Sequence, residues 1–72
     1  MKMKKEMEKA IMAHIGALGS ASEVYSWGSC IYARFDEDNI VYCFRPEGDK
    51  YFVSHCGLGR GCFFTEEEEF EI

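Results

Sequence analysis

The chain has 72 residues, with thirteen acidic and eight basic side chains, a formal net charge of −5, four cysteines and one proline. A chain of this length buries only about 60% of its unfolded surface, so we expect a single domain with a thin core and no deep cleft. No apolar run approaches the length of a bilayer span, and the first residues lack the pattern of a secretion signal. We therefore expect a cytoplasmic protein that makes no membrane contact and keeps its thiols reduced.

The charge is unevenly distributed along the chain. Residues 1–18 carry four lysines and two glutamates, whereas residues 19–72 carry four basic and eleven acidic side chains. Nucleic-acid binding depends on basic side chains that displace counterions from phosphates. The acidic excess after residue 18 has the opposite sign, so we expect no direct nucleic-acid binding, and a protein partner with a basic surface remains open.

Residues 1–18 have the pattern of an amphipathic helix. Apolar side chains recur at intervals of three or four residues, at Met3, Met7, Ile11, Ile15 and Leu18. Two glycines, at positions 16 and 19, weaken the pattern and then end it. An isolated helix of this length is marginal in water, so its apolar stripe must pack against the rest of the chain.

Residues 25–64 have the pattern of an antiparallel β-meander. They are rich in aromatic and β-branched residues, and clusters of turn-forming residues interrupt the pattern at three places. These interruptions are 36–39, 46–49 and 57–61. The sequence predicts one α+β domain over residues 1–72, in which the amino-terminal helix packs on three to four antiparallel strands.

Residues 65–72 form an acidic carboxy-terminal segment. Thr65 followed by Glu68 matches the capping box of a helix, but only seven residues follow Thr65. A strand is also compatible, because its charges would protect a sheet edge from further pairing. We favour an acidic edge strand or tail.

A trial register, with Phe35 opposite Ile40 and Phe44 opposite Tyr51, divides the meander into two faces. The face expected to pack on the helix carries Trp27, Ile31, Ala33, Phe35, Ile40, Tyr42, Phe44, Tyr51, Val53 and His55. The opposite face carries Cys30, Tyr32, Arg34, Val41, Cys43, Arg45, Phe52, Ser54 and Cys56. A solvated sheet face is usually polar, so this apolar second face predicts either coverage by the residues after 62 or a binding surface.

Cysteine and histidine offer a weak candidate metal site at His55, Cys56 and Cys62. Structural zinc usually requires closely spaced ligand pairs such as C-x2-C, and none occurs here. Successive strand residues also point to opposite faces, which separates the side chains of His55 and Cys56. We therefore expect no metal and no cofactor, and keep a Cys56–Cys62 disulfide as an alternative in an oxidising setting.

Nothing in the sequence has the arrangement of a catalytic site. A cysteine nucleophile needs an imidazole within hydrogen-bond reach, and the expected strand directions at His55 and Cys56 prevent this contact. The small size of the chain leaves little volume for a substrate pocket. We expect a protein that is not an enzyme.

The combination of small size, acidity and lack of enzyme motifs resembles the small phage or mobile-element proteins that inhibit host nucleic-acid machinery, such as anti-CRISPR proteins. No motif of a particular family accompanies this resemblance. It implies a non-enzymatic inhibitor that blocks a basic, nucleic-acid-handling partner. The partner-binding residues that we predict are Tyr32, Arg34, Val41, Arg45, Phe52, Asp36, Glu37, Asp38, Glu66, Glu67, Glu68 and Glu69.

Two other classes of function remain open. A self-associating module would form a homodimer through the apolar patch that includes Tyr32, Val41 and Phe52. A small zinc-binding domain would use the histidine and cysteine residues named above.

Overall fold

The structure is a computed structural model that describes residues 5–59 and 63–72. Its elements are the helix α1 (Lys5–Leu18) and the strands β1 (Glu23–Trp27), β2 (Cys30–Phe35), β3 (Ile40–Glu47), β4 (Lys50–Gly57) and β5 (Glu68–Glu71). The strands form one antiparallel sheet in the order β1-β2-β3-β4-β5. The predicted α+β fold is confirmed, with five strands instead of three to four.

The helix packs on the sheet through the predicted stripe. Met7, Ile11 and Ile15 are at most 4% exposed. They join a core whose sheet residues are Ile31, Ala33, Phe35, Phe44, Tyr51 and Val53. Burial of one such apolar side chain is worth roughly 1.5–3 kcal/mol, so this layer is the main source of stability. Met3, the first residue of the predicted stripe, lies outside the described residues.

The first hairpin is absent from the predicted meander, whose first turn is at residues 36–39. A two-residue loop, Gly28–Ser29, separates β1 from β2 and leaves Trp27 opposite Cys30. Gly28 has a φ of 64°, which the first central residue of a type I′ or II′ turn requires. The hairpin places Trp27 on the sheet face opposite to the helix, so its predicted position in the helix layer is wrong.

The β3–β4 register differs from the prediction by two residues. Phe35 lies opposite Ile40 as expected, but Phe44 lies opposite Val53 instead of Tyr51. The cause is the loop, which is only Gly48–Asp49, because the preceding Pro46 and Glu47 belong to β3. Side chains alternate with a period of two, so an even shift changes cross-strand partners and keeps every residue on its predicted face.

Pro46 lies within β3 although proline cannot donate a backbone hydrogen bond. The β2–β3 ladder ends at Ile31 opposite Phe44, before it reaches Pro46. Pro46 pairs with Tyr51 of β4 on its other side. Pro46 therefore lies beyond the last β2–β3 pair, where its lack of an N–H costs no hydrogen bond to β2.

Residues 68–71 form the edge strand β5 beside β4, with Tyr51 opposite Phe70. Of the two predicted alternatives for the acidic segment, helix and edge strand, the structure shows the edge strand at residues 68–71. Phe70 packs against the core, while Glu69 and Glu71 face away from the helix. One apolar side chain is enough to dock this short strand, and its glutamates remain in solvent.

Candidate interaction surface

We call the sheet face opposite to α1 the outer face. The registers place on it Glu23, Tyr25, Trp27, Cys30, Tyr32, Arg34, Val41, Cys43, Arg45, Glu47, Lys50, Phe52, Ser54, Cys56, Glu69 and Glu71. The predicted members of this face are all present. Tyr25 and Trp27 also lie on this face, because they belong to the separate strand β1.

The outer face is buried at one end and exposed at the other. Val41, Ser54 and Cys56 are at most 8% exposed, whereas Tyr25 is 41% and Trp27 74% exposed. Val41 was predicted to contact a partner, but its burial removes it from the accessible surface. The accessible apolar part of the outer face lies on β1 and β2.

Three aromatic side chains form this accessible part, and we call Tyr25, Trp27 and Tyr32 the aromatic patch. Tyr25 and Tyr32 lie opposite each other across the β1–β2 ladder. Their rings stack with centroids 5.4 Å apart and an interplanar angle of 13°. The stack holds two rings in fixed positions beside the exposed indole of Trp27, and tyrosine and tryptophan are the residue types enriched at binding hot spots. The Gly-Ser pair after Trp27 is the sequence signal that could have revealed this patch.

Arg34 is neutralised within the chain. Its guanidinium lies 2.7 Å from a Glu23 carboxylate oxygen and 2.8 Å from one of Asp36. The hydrogen bond to Asp36 and the nearby negative charges raise the pKa of Arg34. The predicted contact of this arginine with a partner would have to compete with two carboxylates.

Arg45 is also neutralised. Its Nε and Nη2 atoms donate to the two carboxylate oxygens of Glu67, each at 2.9 Å, and Nη1 donates to Glu47 at 2.7 Å. These bonds raise the pKa of Arg45 and lower that of Glu67. The guanidinium carbon lies 4.5 Å above the centre of the Phe52 ring, so Arg45 covers part of this predicted apolar anchor.

The ion pairs leave an acidic excess on the outer face. Arg34, Arg45 and Lys50 contact five carboxylates. These carboxylates belong to Glu23, Asp36, Glu47, Glu67 and Glu69. Every basic group described on this face is compensated, so the field that it presents to a partner is negative.

The remaining predicted acidic residues lie at two places. Glu37 and Asp38 are exposed in the β2–β3 turn, and Glu66 is exposed before β5. Within the described residues none of these three forms an ion pair. Glu68 lies opposite Val53 on the helix face, where its charge acts on His14. The predicted acidic set is thus divided between both sheet faces instead of forming one cluster.

The carboxy-terminal segment covers the outer face only in part. Thr65 donates its backbone N–H to the carbonyl oxygen of His55 at 2.9 Å, and Glu67 binds Arg45 as described above. Phe63 and Phe64 were the candidate covering residues, but they are 85% and 47% exposed. The aromatic patch therefore has no cover from the described part of this segment.

The thiol of Cys43 on the outer face does not have the properties of a nucleophile. Burial raises the pKa of Cys43 to about 11, with a further contribution from Cys30, and a catalytic thiol needs a lowered pKa. Burial, reinforced by Cys43, raises the pKa of the neighbouring Tyr32 to about 12. Cys30 and Cys43 are free thiols. With these raised pKa values, Cys43 and Tyr32 both remain protonated at neutral pH.

Two of the three weak metal candidates, His55 and Cys56, lie on opposite faces of the sheet. His55 lies opposite Tyr42 on the helix face, whereas Cys56 lies opposite Val41 on the outer face. Cys56 is disulfide-bonded, in contrast to the expectation of reduced thiols. Cys62, its partner in the alternative disulfide named above, lies outside the described residues. No group of three or more potential metal ligands occurs within residues 5–59 and 63–72.

A pocket of about 380 Å³ lies between the end of α1 and the β2–β3 turn. Its lining residues are Leu18, Gly19, Ser20, Ser22, Phe35, Glu37 and Asp38. This set contains two serines and two carboxylates, and neither a histidine nor a cysteine. The pocket is separate from the aromatic patch.

No family model, curated protein or solved structure matches this chain. Among the described residues, no helix is long and apolar enough to cross a membrane. A functional interpretation therefore depends on the surface described above.

Proposed function

We propose that this protein is a non-enzymatic binding module that docks through its outer face on a protein with a basic surface. The observation that carries the proposal is the aromatic patch on a face whose described cations are all paired. Trp27, with 74% of its surface exposed, supplies an apolar anchor that no described residue covers. Exposed aromatic side chains within a charged rim are typical of binding sites.

The charge of the outer face favours a basic partner. Five carboxylates surround three cations, and Glu66 adds an exposed charge beside Glu67. Complementary charge steers association and suppresses contact with acidic surfaces. Basic grooves that bind nucleic acid fit this description, so the proposed action is inhibition by occupation of such a groove. The resemblance to small phage inhibitors points in the same direction.

Trp27 provides the direct test, since it is the single tryptophan of the chain. The protein is titrated with a panel of purified basic nucleic-acid-binding proteins and, separately, with a DNA duplex. Binding to a basic protein should bury the indole and shift its fluorescence to shorter wavelength. The duplex should produce no change, and the bound protein should lose its affinity for nucleic acid.

The matched variants are Trp27→Ala and Phe63→Ala. Both remove an exposed aromatic ring, but only Trp27 belongs to the aromatic patch. We expect Trp27→Ala to weaken binding by about 2 kcal/mol, or roughly 30-fold, as at a typical hot spot. Phe63→Ala should bind like the parent protein, with affinity measured by calorimetry. Equal affinity of parent and Trp27→Ala would show that the patch is not the binding site.

A further inference from the structure

The two edges of the sheet differ in their protection against pairing. All five residues of β1 are exposed, and only Glu23 is charged. At the other edge, three of the four residues of β5 are glutamate. Charge repeated along an edge strand opposes pairing with another chain. By this criterion β5 is protected and β1 is open.

The backbone of β1 has two residues available for pairing. Trp27 and Cys30 flank a two-residue loop, so they form a hydrogen-bonded pair, and such pairs alternate along an antiparallel ladder. Tyr25 and Glu23 therefore also bond to β2, whereas the N–H and C=O groups of Val24 and Ser26 point away from the sheet.

We infer that β1 pairs antiparallel with β1 of a second copy, around a two-fold axis at Tyr25. The two five-stranded sheets then become one continuous sheet. In this register Val24 lies opposite Ser26 of the second copy, and Ser26 opposite Val24, which gives about four new hydrogen bonds. The contact uses the same edge strand, β1, on both copies, as a two-fold axis requires.

Neighbouring registers use the edge less completely. A shift by two residues in one direction places Ser26 opposite Ser22 of the second copy, whose N–H already donates to the Arg34 carbonyl at 2.7 Å. A shift in the other direction places Val24 opposite Gly28, which belongs to the turn. Only the register at Tyr25 pairs both outward residues of both strands.

Side chains and charges are compatible with this register. The two Tyr25 rings meet at the axis on the outer face and extend each Tyr25–Tyr32 stack into a row across both copies. Glu23 lies opposite Trp27 of the second copy, so the Cα atoms of the two Glu23 residues are about 14 Å apart. This distance exceeds the Debye length of about 8–10 Å, and Arg34 compensates each charge at 2.7 Å.

The contact is short, which determines how it must be measured. Five residues on each side bury an area at or below the low end of stable interfaces, about 1,200 Å². The dimer should therefore dissociate on dilution, with a dissociation constant in the range of micromolar to hundreds of micromolar. Sedimentation equilibrium over roughly 10 µM to 1 mM covers this range.

Hydrogen exchange identifies the edge. We expect the amides of Val24 and Ser26 to exchange more slowly at 1 mM than at 10 µM, while those of Glu69 and Glu71 on the opposite edge strand do not change. Ser26→Pro removes the outward N–H at a position where an edge strand tolerates proline. We expect it to fold, checked by circular dichroism, and to raise the dissociation constant at least tenfold.

A charge variant gives a second test that does not depend on proline. Tyr25→Lys places two like charges face to face at the axis, and Phe63→Lys introduces the same charge outside β1. We expect the first variant to be monomeric and the second to associate like the parent.

Several results would overturn the inference. These are a parent that stays monomeric at 1 mM, a dimer that survives Ser26→Pro, and β1 amides that become protected only when a different protein is added. All measurements use the protein alone, so the dimer can fail while the proposed binding of a basic protein succeeds, and the reverse.

Discussion

At the scale of single residues, His14 links the helix to three strands. Its Nδ1 atom forms a hydrogen bond of 2.9 Å with the Tyr51 hydroxyl group. The ring meets Phe44, Tyr51 and Phe70 edge-on, with centroids 4.7–5.7 Å apart. Burial lowers the pKa of His14 and outweighs the opposing effect of the Glu68 charge. Folding therefore favours the neutral form of the His14 imidazole.

This pKa shift predicts a loss of stability in mild acid. The pKa of His14 is lower in the folded state than its ordinary value of 6.5. Its contribution is therefore complete above pH 6.5 and decreases as the pH falls from 6.5 through the folded pKa. Urea unfolding at pH 7.5 and pH 5.5 should show a smaller free energy of unfolding at the lower pH.

The control for this prediction is His14→Gln, which keeps a polar side chain that does not titrate. The difference between pH 7.5 and pH 5.5 should be smaller in this variant than in the parent. An equal difference in both proteins would assign the pH dependence to the carboxylates.

At the scale of secondary structure, the hairpin loops determine which residues reach the outer face. The β1–β2 and β3–β4 loops each contain two residues, and each begins with a glycine of positive φ, 64° at Gly28 and 63° at Gly48. A side chain at Gly28 would meet no atom within 4 Å. The requirement for glycine there comes from the backbone conformation and not from crowding.

Two glycine-to-alanine variants should therefore have opposite effects. Gly28→Ala forces a positive φ on alanine and should reduce the free energy of unfolding by roughly 1–2 kcal/mol. Gly16→Ala lies in α1, where added bulk also meets nothing within 4 Å, and should increase it by about 0.5–1 kcal/mol. Thermal and urea unfolding measure both. A neutral Gly28→Ala would contradict the assigned turn conformation.

At the scale of the whole molecule, the two sides of the sheet expose different groups. The helix face is closed by α1, whose lysines and glutamates lie on the exposed side of that layer. The outer face carries the aromatic patch and the acidic excess. A partner of the kind proposed would approach from this side only.

The position of a charge should then matter more than the net charge. Glu66→Lys reverses an exposed charge beside the outer face, and should slow association with a basic partner several-fold at low salt. Lys9→Glu changes the net charge by the same amount on α1 and should have little effect. Stopped-flow tryptophan fluorescence at several salt concentrations measures both rates. Equal and opposite effects of the two variants would show that only the net charge acts.

The sequence by itself determined the elements that depend on local patterns. The apolar repeat of Met7, Ile11 and Ile15 predicted α1, and the two-residue alternation from Ile31 to Val53 assigned these residues to the correct sheet faces. These assignments hold because side-chain periodicity is a property of the backbone and survives an even shift of register. The division of His55 and Cys56 between faces follows from the same alternation.

The tertiary structure decided what cannot be inferred from local patterns. Trp27 lies on the face opposite to the predicted one because a two-residue turn places it across from Cys30. Val41 is buried although it lies on the outer face. Arg34 pairs with Glu23 on β1, and Arg45 pairs with Glu67 in the segment before β5. Exposure and charge compensation depend on residues distant in sequence, so only the assembled sheet shows that the accessible surface is aromatic and acidic.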